Sequence, residues 1–263
     1  MNKSIILIIA SIFCLTEMAY AGINDGLVAY YPFDGNANDV SGSGNNGTEN
    51  GGVTYKDGVL GKAASFDGID DYIDVADSET LDINGSGMTI SAWVMPNQND
   101  AYHAIVSKYF GEGYYLRVDP GGKINFYALG TLETNTAVVP TGKFTHIVGT
   151  FDGTNAFIYA NGQLVTSGQT VYPGPGLIRP TDFPITIGAW TISHDKKFNG
   201  VIDEVRIYNR YFSKTEIQEL YSLNGLPPVP EPSTKVPVHN GLWLIPGILT
   251  GLYLLRRRKK PSA

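Results

Sequence analysis

The rhythm of its apolar runs is what most restricts how this chain can fold. Between Gly22 and Gly225 these runs are four to eight residues long, rich in β-branched and aromatic side chains, and bounded by Gly, Asn, Asp or Pro. Twelve occur, at 26–31, 63–66, 72–75, 88–95, 104–109, 114–118, 123–128, 144–151, 156–160, 163–167, 185–190 and 201–208. Runs of that length between turn formers read as β-strands. Alternation within them is often strict. In Thr89-Ile90-Ser91-Ala92-Trp93-Val94, Ile90, Ala92 and Val94 share one face, while Ser91 and Trp93 share the other. Asn161-Gly162 lies between two runs and is the pair a tight type I′ hairpin turn prefers. No βαβ rhythm appears, so the runs predict an all-β fold, a two-sheet antiparallel sandwich. One short helix is expected near the end. There Ser213-Lys214-Thr215-Glu216 forms a capping box, and Ile217, Leu220 and Tyr221 make one apolar face.

Composition and charge narrow the function. The 263 residues include 31 Gly and 15 Pro, which suits a turn-rich chain, and 16 Tyr with 11 Phe, which is too aromatic for disorder. The net charge of −6 conceals an asymmetry. Five cations, Arg256, Arg257, Arg258, Lys259 and Lys260, crowd the C-terminus, whereas residues 22–225 carry 12 Lys/Arg against 23 Asp/Glu. So acidic a module repels a phosphate backbone, and nucleic-acid binding is excluded.

Both ends read as targeting segments. Lys3, an apolar run at 5–15 and Ala19-Tyr20-Ala21 have the order of a secretory signal peptide cleaved after Ala21. The run is well short of the roughly 20 residues of a membrane span. Lipidation at Cys14 is the other reading, disfavoured by the bulky Ile12-Phe13 before it. Cys14 is the one cysteine, so the exported chain is expected to hold together without disulfides. From 226 to 240 the chain is proline-rich, suiting an extended linker. Residues 241–255 are mostly apolar and precede the five cations, which reads as an anchor with its basic end in the cytoplasm. The alternative is a helix packed on the domain.

The ordered series Pro230-Glu231-Pro232, apolar stretch and basic terminus resembles the PEP-CTERM sorting signal of Gram-negative bacteria. That resemblance implies an exosortase as partner, transient anchoring in the inner membrane, and delivery to the cell surface or extracellular matrix, often in bacteria that build biofilm. The departure is the insert at 235–242, with Pro237 and His239, before the strongly apolar part.

A second resemblance covers residues 26–223. Tyr30-Tyr31-Pro32-Phe33-Asp34-Gly35 opens the module, followed by Ala64-Ser65-Phe66-Asp67-Gly68, Ile90-Ser91-Ala92-Trp93-Val94 and Thr145-His146-Ile147-Val148. Asn199-Gly200-Val201-Ile202-Asp203-Glu204-Val205-Arg206-Ile207-Tyr208 closes it. This order is similar to the bacterial laminin-G-like jelly rolls of the concanavalin A-like lectin/glucanase superfamily. The resemblance implies a lectin-like binding module, often with one structural calcium held by the first loop and the Asp of the closing strand. Asp34, Asn36, Asp39 and Asp203 are the residues it points to. The loop Asp34-Gly35-Asn36-Ala37-Asn38-Asp39 also places oxygens at alternate positions, which suits a hard cation, yet Asp and Asn are equally common as turn formers. Asp67, Asp70, Asp71 and Asp74 form another acidic run. On a strand Asp70 and Asp74 would share a side and Asp71 the other, which predicts a solvated edge and no single pocket.

Catalytic residues are not expected. The related glucanases carry Glu-x-Asp-x-x-Glu on one strand, and no such run exists here. Asp203 and Glu204 are adjacent and would face opposite ways, whereas a glycosidase needs paired carboxylates. Of His103, His146, His194 and His239, His146 lies in a predicted core strand, and His194, beside Trp190 and Asp195, is the best remaining base. For a sugar, exposed rings matter more. Tyr102, Tyr109, Tyr172 and Trp190 fall in or beside loops and are the candidate stacking platform. The expected function is therefore non-catalytic binding of extracellular polysaccharide or a surface protein. A polysaccharide hydrolase or lyase, and a purely structural envelope or biofilm protein, remain the alternatives.

Overall fold

The computed structural model describes residues 22–83, 87–108, 113–170 and 181–223. The chain divides into two units, Met1–Pro228 and Val229–Ala263, and every described residue belongs to the first. The expected signal peptide, linker, sorting motif and anchor, with Pro230, Glu231, Pro232 and His239, lie outside the described residues. Among those described, no helix is long and apolar enough to cross a membrane.

The described strands are β1 Leu27–Tyr31, β2 Gly47–Asn50, β3 Thr54–Asp57, β4 Lys62–Asp67, β5 Tyr72–Val75, β6 Met88–Pro96, β7 His103–Lys108 and β8 Tyr114–Asp119. They continue as β9 Lys123–Ala128, β10 Thr131–Glu133, β11 Thr145–Phe151, β12 Asn155–Ala160, β13 Gln163–Gln169, β14 Ile185–Ile187 and β15 Asn199–Tyr208, before helix α1 Lys214–Ser222. All twelve runs read from the sequence are strands. The three it missed, β2, β3 and β10, are short, polar and at sheet edges, where no second neighbour demands an apolar pattern.

The first sheet has the order β13-β12-β11-β6-β15-β4-β3, with β1 also on β15; the second runs β10-β9-β8-β7-β14-β5-β2. The described pairings are antiparallel throughout. The result is a jelly-roll sandwich. Its core is filled by the inward residues of both sheets, including Ile90, Ala92, Val94, Ile147 and Ile207 against Ile105, Leu116, Val118, Ile124 and Phe126. Gly149 on β11 is required by that packing, because a side chain there would collide with the Phe126 ring. At the β12–β13 turn Asn161 and Gly162 both take positive φ, 49° and 76°, as a type I′ turn demands.

The outer face of the first sheet is closed by a second apolar cluster of Val148, Tyr159, Tyr208, Phe212, Ile217 and Leu220. Helix α1 is fixed over it by the capping box. The Ser213 side chain accepts from the Glu216 amide, and the Ser213 amide donates to the Glu216 carboxylate at 2.8 Å. Trp93, facing away from the core as its alternation predicts, stacks on Tyr221 of α1 at 5.5 Å and 22°. Strand β15 is the spine of this sheet. Residues 199–202 pair with β4 and residues 205–208 with β1, and a bulge between Asp203 and Arg206, with Glu204 at φ 52°, separates the two partners.

Candidate functional site

The outer face of the second sheet is built by alternation on two strands. In β8, Leu116 and Val118 enter the core, leaving Tyr115, Arg117 and Asp119 outside; in β9, Ile124 and Phe126 enter it, leaving Lys123, Asn125 and Tyr127. Register sets Tyr115 opposite Tyr127, Arg117 opposite Asn125 and Asp119 opposite Lys123. Arg117 donates from Nε to Asp119 Oδ1 at 2.5 Å and from Nη2 to Oδ2 at 3.2 Å, and Asn125 Nδ2 donates to Oδ2 at 2.9 Å. This charge-assisted pair holds the guanidinium in one place. Its central carbon lies 4.9, 5.0 and 5.6 Å from the ring centres of Tyr102, Tyr115 and Trp190. Trp190 is also 4.9 Å from Tyr115, with the Lys196 ammonium 4.5 Å from its centre. Tyr115 and Tyr127 stack at 5.3 Å, and Tyr102 is 45% exposed.

The loop after β14 aims Trp190 at this cluster. The Trp190 amide donates to the Asp195 carbonyl at 2.8 Å, and the His194 amide donates to the Trp190 carbonyl at 2.9 Å. Ile192, His194 and Lys196 all have left-handed φ, at 74°, 47° and 50°. For the β-branched Ile192, 57% exposed, that backbone is strained, and strain of this kind concentrates at ligand-binding loops. His194 anchors the loop from beneath: its ring stacks on Tyr72 at 4.1 Å, and Nε2 lies 3.5 Å from Asp74 Oδ1.

Of the four rings expected in a platform, Tyr102 and Trp190 thus meet around Arg117, while Tyr109 and Tyr172 lie outside the described residues. Tyr115, Arg117, Asp119 and Asn125 were not anticipated. Their signal was present, since two adjacent strand runs, 114–118 and 123–128, alternate apolar residues with polar and aromatic ones.

The expected cation ligands divide into two kinds. Asn36 Oδ1 accepts from the Asn38 amide at 2.9 Å. Asp39 accepts from the amides of Tyr30, Ser41 and Asn45 and from the Ser41 hydroxyl. These two side chains therefore act as turn formers. Asp34 and Asp203 instead meet one structure, the β3–β4 turn. Asp34 Oδ1 accepts from the Lys62 amide at 2.7 Å, and Asp203 Oδ2 accepts from the Val59 amide at 2.8 Å and the Leu60 amide at 3.4 Å. Asp203 is fully buried and its Oδ1 has no hydrogen-bond partner. Burial pushes its carboxyl up to about 7; the Val59 amide opposes the shift and the neighbouring Glu204 charge adds to it. A buried carboxylate oxygen without a partner is costly, and a proton or a hard cation removes that cost. The unpartnered Asp203 Oδ1 is the oxygen here that a hard cation such as calcium would answer.

A different group of carboxylates does converge. Asp67, Asp70 and Asp71 place one oxygen each within 4.8 Å of one another, beside a cleft of about 380 Å³ lined also by Gly51, Lys56 and Asn199. This corrects the expectation of no single pocket. Strand β5 starts only at Tyr72, so strand alternation does not govern Asp70 and Asp71. Backbone amides satisfy the cluster from within: Ile69 and Asp70 donate to Asp67 Oδ1, and Gly52 and Asp67 donate to Asp71.

Asp203, Glu204, His146 and His103 are held inside the fold by their own partners. Asp203 and Glu204 sit in the bulge, not a regular strand, with Glu204 1% exposed and bonded to Arg206 Nη2 at 2.6 Å and to the Tyr30 hydroxyl at 3.0 Å. His146 is buried beside Trp93, Nε2 lies 2.8 Å from the Ser91 hydroxyl, and burial with the Arg206 charge pushes its ring down to about 3. His103 is buried, with Nδ1 2.9 Å from the Lys197 carbonyl.

The sequence profile of the concanavalin A-like lectin/glucanases superfamily, laminin G type 3, matches residues 67–218. No curated protein matches. Among solved structures, domain 4 of AbnA, an extracellular arabinanase of Geobacillus stearothermophilus solved with arabinotriose, is 24% identical with a TM-score of 0.60, covering 74% of this chain and 98% of that one. The binding domain of Paraclostridial Mosquitocidal Protein 1 is 19% identical at a TM-score of 0.63, covering 77% and 53%. Botulinum neurotoxin type C, whose cell entry depends on interaction with two ganglioside molecules, is 16% identical at 0.57, covering 77% and 52%. The likeness to these structures is one of fold, and this chain spans about half of the two toxin chains. With a matching profile over more than half of its length, the chain belongs to the concanavalin A-like lectin/glucanase superfamily.

Proposed function

We propose that this protein is an exported, non-catalytic, lectin-like module that binds extracellular polysaccharide or a glycan-bearing surface partner through the outer face of its second sheet. The observation that carries the reading is the convergence of Tyr102, Tyr115 and Trp190 on one guanidinium, Arg117, held by a buried carboxylate. Flat rings bordered by fixed polar groups are what a sugar requires, since its axial C–H face stacks and its hydroxyls need donors and acceptors. The structures of similar fold that were solved with arabinotriose or tied to gangliosides support the same class of ligand. Asp203 and Glu204, buried and bound to separate partners, support a non-catalytic role.

Calcium belongs to this reading as a structural ion. Asp34 and Asp203 would hold it against the β3–β4 turn, joining the first loop to the closing strand. The tail carrying Pro230, Glu231 and Pro232 would be read by an exosortase at the inner membrane of a Gram-negative bacterium, placing the module at the surface or in the matrix.

The test is binding of the purified full chain to a glycan array with calcium present. Binding is expected, and Trp190→Ala is expected to weaken it about tenfold or more, the equivalent of one lost stacking contact. A chain that folds and binds no glycan overturns the reading and leaves a purely structural role.

A further inference from the structure

Around the ring cluster, the described residues of the second sheet's outer face carry three cations, each answered by a carboxylate. A fourth, Lys197, lies beside them over the Tyr72 ring at 4.0 Å, with Nζ 3.4 Å from the Asp70 carbonyl. Arg117 is paired with Asp119 through two donors at 2.5 and 3.2 Å, Lys123 Nζ lies 2.9 Å from Glu133, and Lys196 Nζ lies 3.6 Å from Asp195. Asp119, itself only 4% exposed, is tied further by the Asn125 amide. Arg117 and Lys196 also lie over aromatic rings, so their charge is spent on the cluster itself.

We infer that this face is built for a neutral, hydroxyl-rich saccharide and discriminates against uronate or otherwise anionic polymers. The inference rests on the glycan-binding reading above and specifies its ligand class. Among the described residues at the rings, an incoming carboxylate finds no cation that lacks a carboxylate partner. Lys197 beyond them lies in the field of Asp67, Asp70, Asp71 and Asp74. The newcomer must also approach Asp119, Glu133 and Asp195 inside a module with 12 basic against 23 acidic residues. Like-charge contact and that long-range field both oppose it. A neutral sugar meets neither obstacle: it stacks on Tyr102 and Trp190 and exchanges hydroxyl hydrogen bonds with groups whose charges are already balanced. Specificity of this kind arises from what the face repels as much as from what it attracts.

The test pairs each neutral polymer with its own oxidised form. The purified full chain is titrated, with calcium, against a β-glucan, a galactan and a mannan, and against the same polymers after their primary alcohols are oxidised to carboxylates. The expected result is binding to at least one neutral polymer, about tenfold or more weaker binding to its oxidised form, and little change in the neutral affinity between about 50 and about 500 mM NaCl. Glu133→Gln and Asp119→Asn, which release Lys123 and Arg117 from their partners, are expected to narrow the gap by raising affinity for the oxidised form. Glu133 is exposed at the surface, so its variant reports even if the Asp119 variant fails to fold. Equal or tighter binding of the oxidised form, with steep salt dependence, overturns the inference and leaves glycan binding intact. Binding to none of the six polymers, with no array ligand either, overturns both.

Discussion

On the outer face of the first sheet a tryptophan, a histidine and an arginine lie among buried side chains, and Tyr221 of helix α1 stacks on the indole. On the outer face of the second sheet a tryptophan, three tyrosines and an arginine gather, with Tyr102 open to solvent. The residue types are similar and the outcomes are opposite. On the first face, the nine-residue helix and its capping box turn outward-facing rings into a second core. On the second, the cover is the strained loop carrying Trp190, which adds a ring to the face. An aromatic sheet face in this fold is therefore a surface or a core according to what the chain lays over it.

The largest expected effect belongs to the closed face. Trp93→Ala removes a ring that is 3% exposed and packed on His146 and Tyr221, and should cost about 3–5 kcal/mol in denaturant unfolding while leaving glycan affinity unchanged. A loss of affinity equal to that of Trp190→Ala would break the contrast between the faces.

Calcium comes next. The carboxyl of Asp203 is raised from 3.8 to about 7 in the fold. A group with a raised folded pKa gives stability that is fully present below its unfolded pKa and lost as pH rises through the folded one. In chelator, Asp203 should thus cost the fold on the order of 4 kcal/mol between about pH 4 and pH 7. If calcium takes the place of the proton, as proposed, its effect on Tm should be larger at pH 8 than at pH 5. Asp203→Asn should raise Tm in chelator at pH 8 and abolish the calcium response. Calorimetry showing no calcium response at either pH would dismiss the ion.

Smaller effects sharpen the comparison. Ser213→Ala removes the cap of α1 and should cost about 1 kcal/mol, read as a lower Tm. Tyr102→Ala should change stability by less than about 0.5 kcal/mol, since the ring is 45% exposed, yet weaken glycan binding about tenfold.

How much of this was legible in the sequence follows from where each residue sits. Strands β6 and β11 are central, so their apolar faces are written strongly, and alternation alone puts Trp93 on the outer face, without reference to its partner Tyr221. Strands β2, β3 and β10 left no such mark, because edge strands are free to be polar. The platform was half legible. Exposed rings beside loops pointed to Tyr102 and Trp190, but Arg117 and Asp119 become meaningful only once β8 pairs with β9 and the loop after β14 folds onto them. The candidate cation ligands show the same limit. Asp34 and Asp39 look alike in sequence, and only the long-range contacts separate Asp39, closed into its own loop, from Asp34, which shares the β3–β4 turn with Asp203.

The contrast between the two faces can be read with one probe. The chain has three tryptophans, Trp93, Trp190 and Trp243, and fluorinated tryptophan would give each a separate ¹⁹F signal, assigned by single Trp→Phe variants. On titration with a bound neutral glycan in calcium, the Trp190 signal should shift in a saturable way while those of Trp93 and Trp243 stay in place. A saturable shift at Trp93 with Trp190 unmoved would contradict the account and put the ligand on the face that α1 closes.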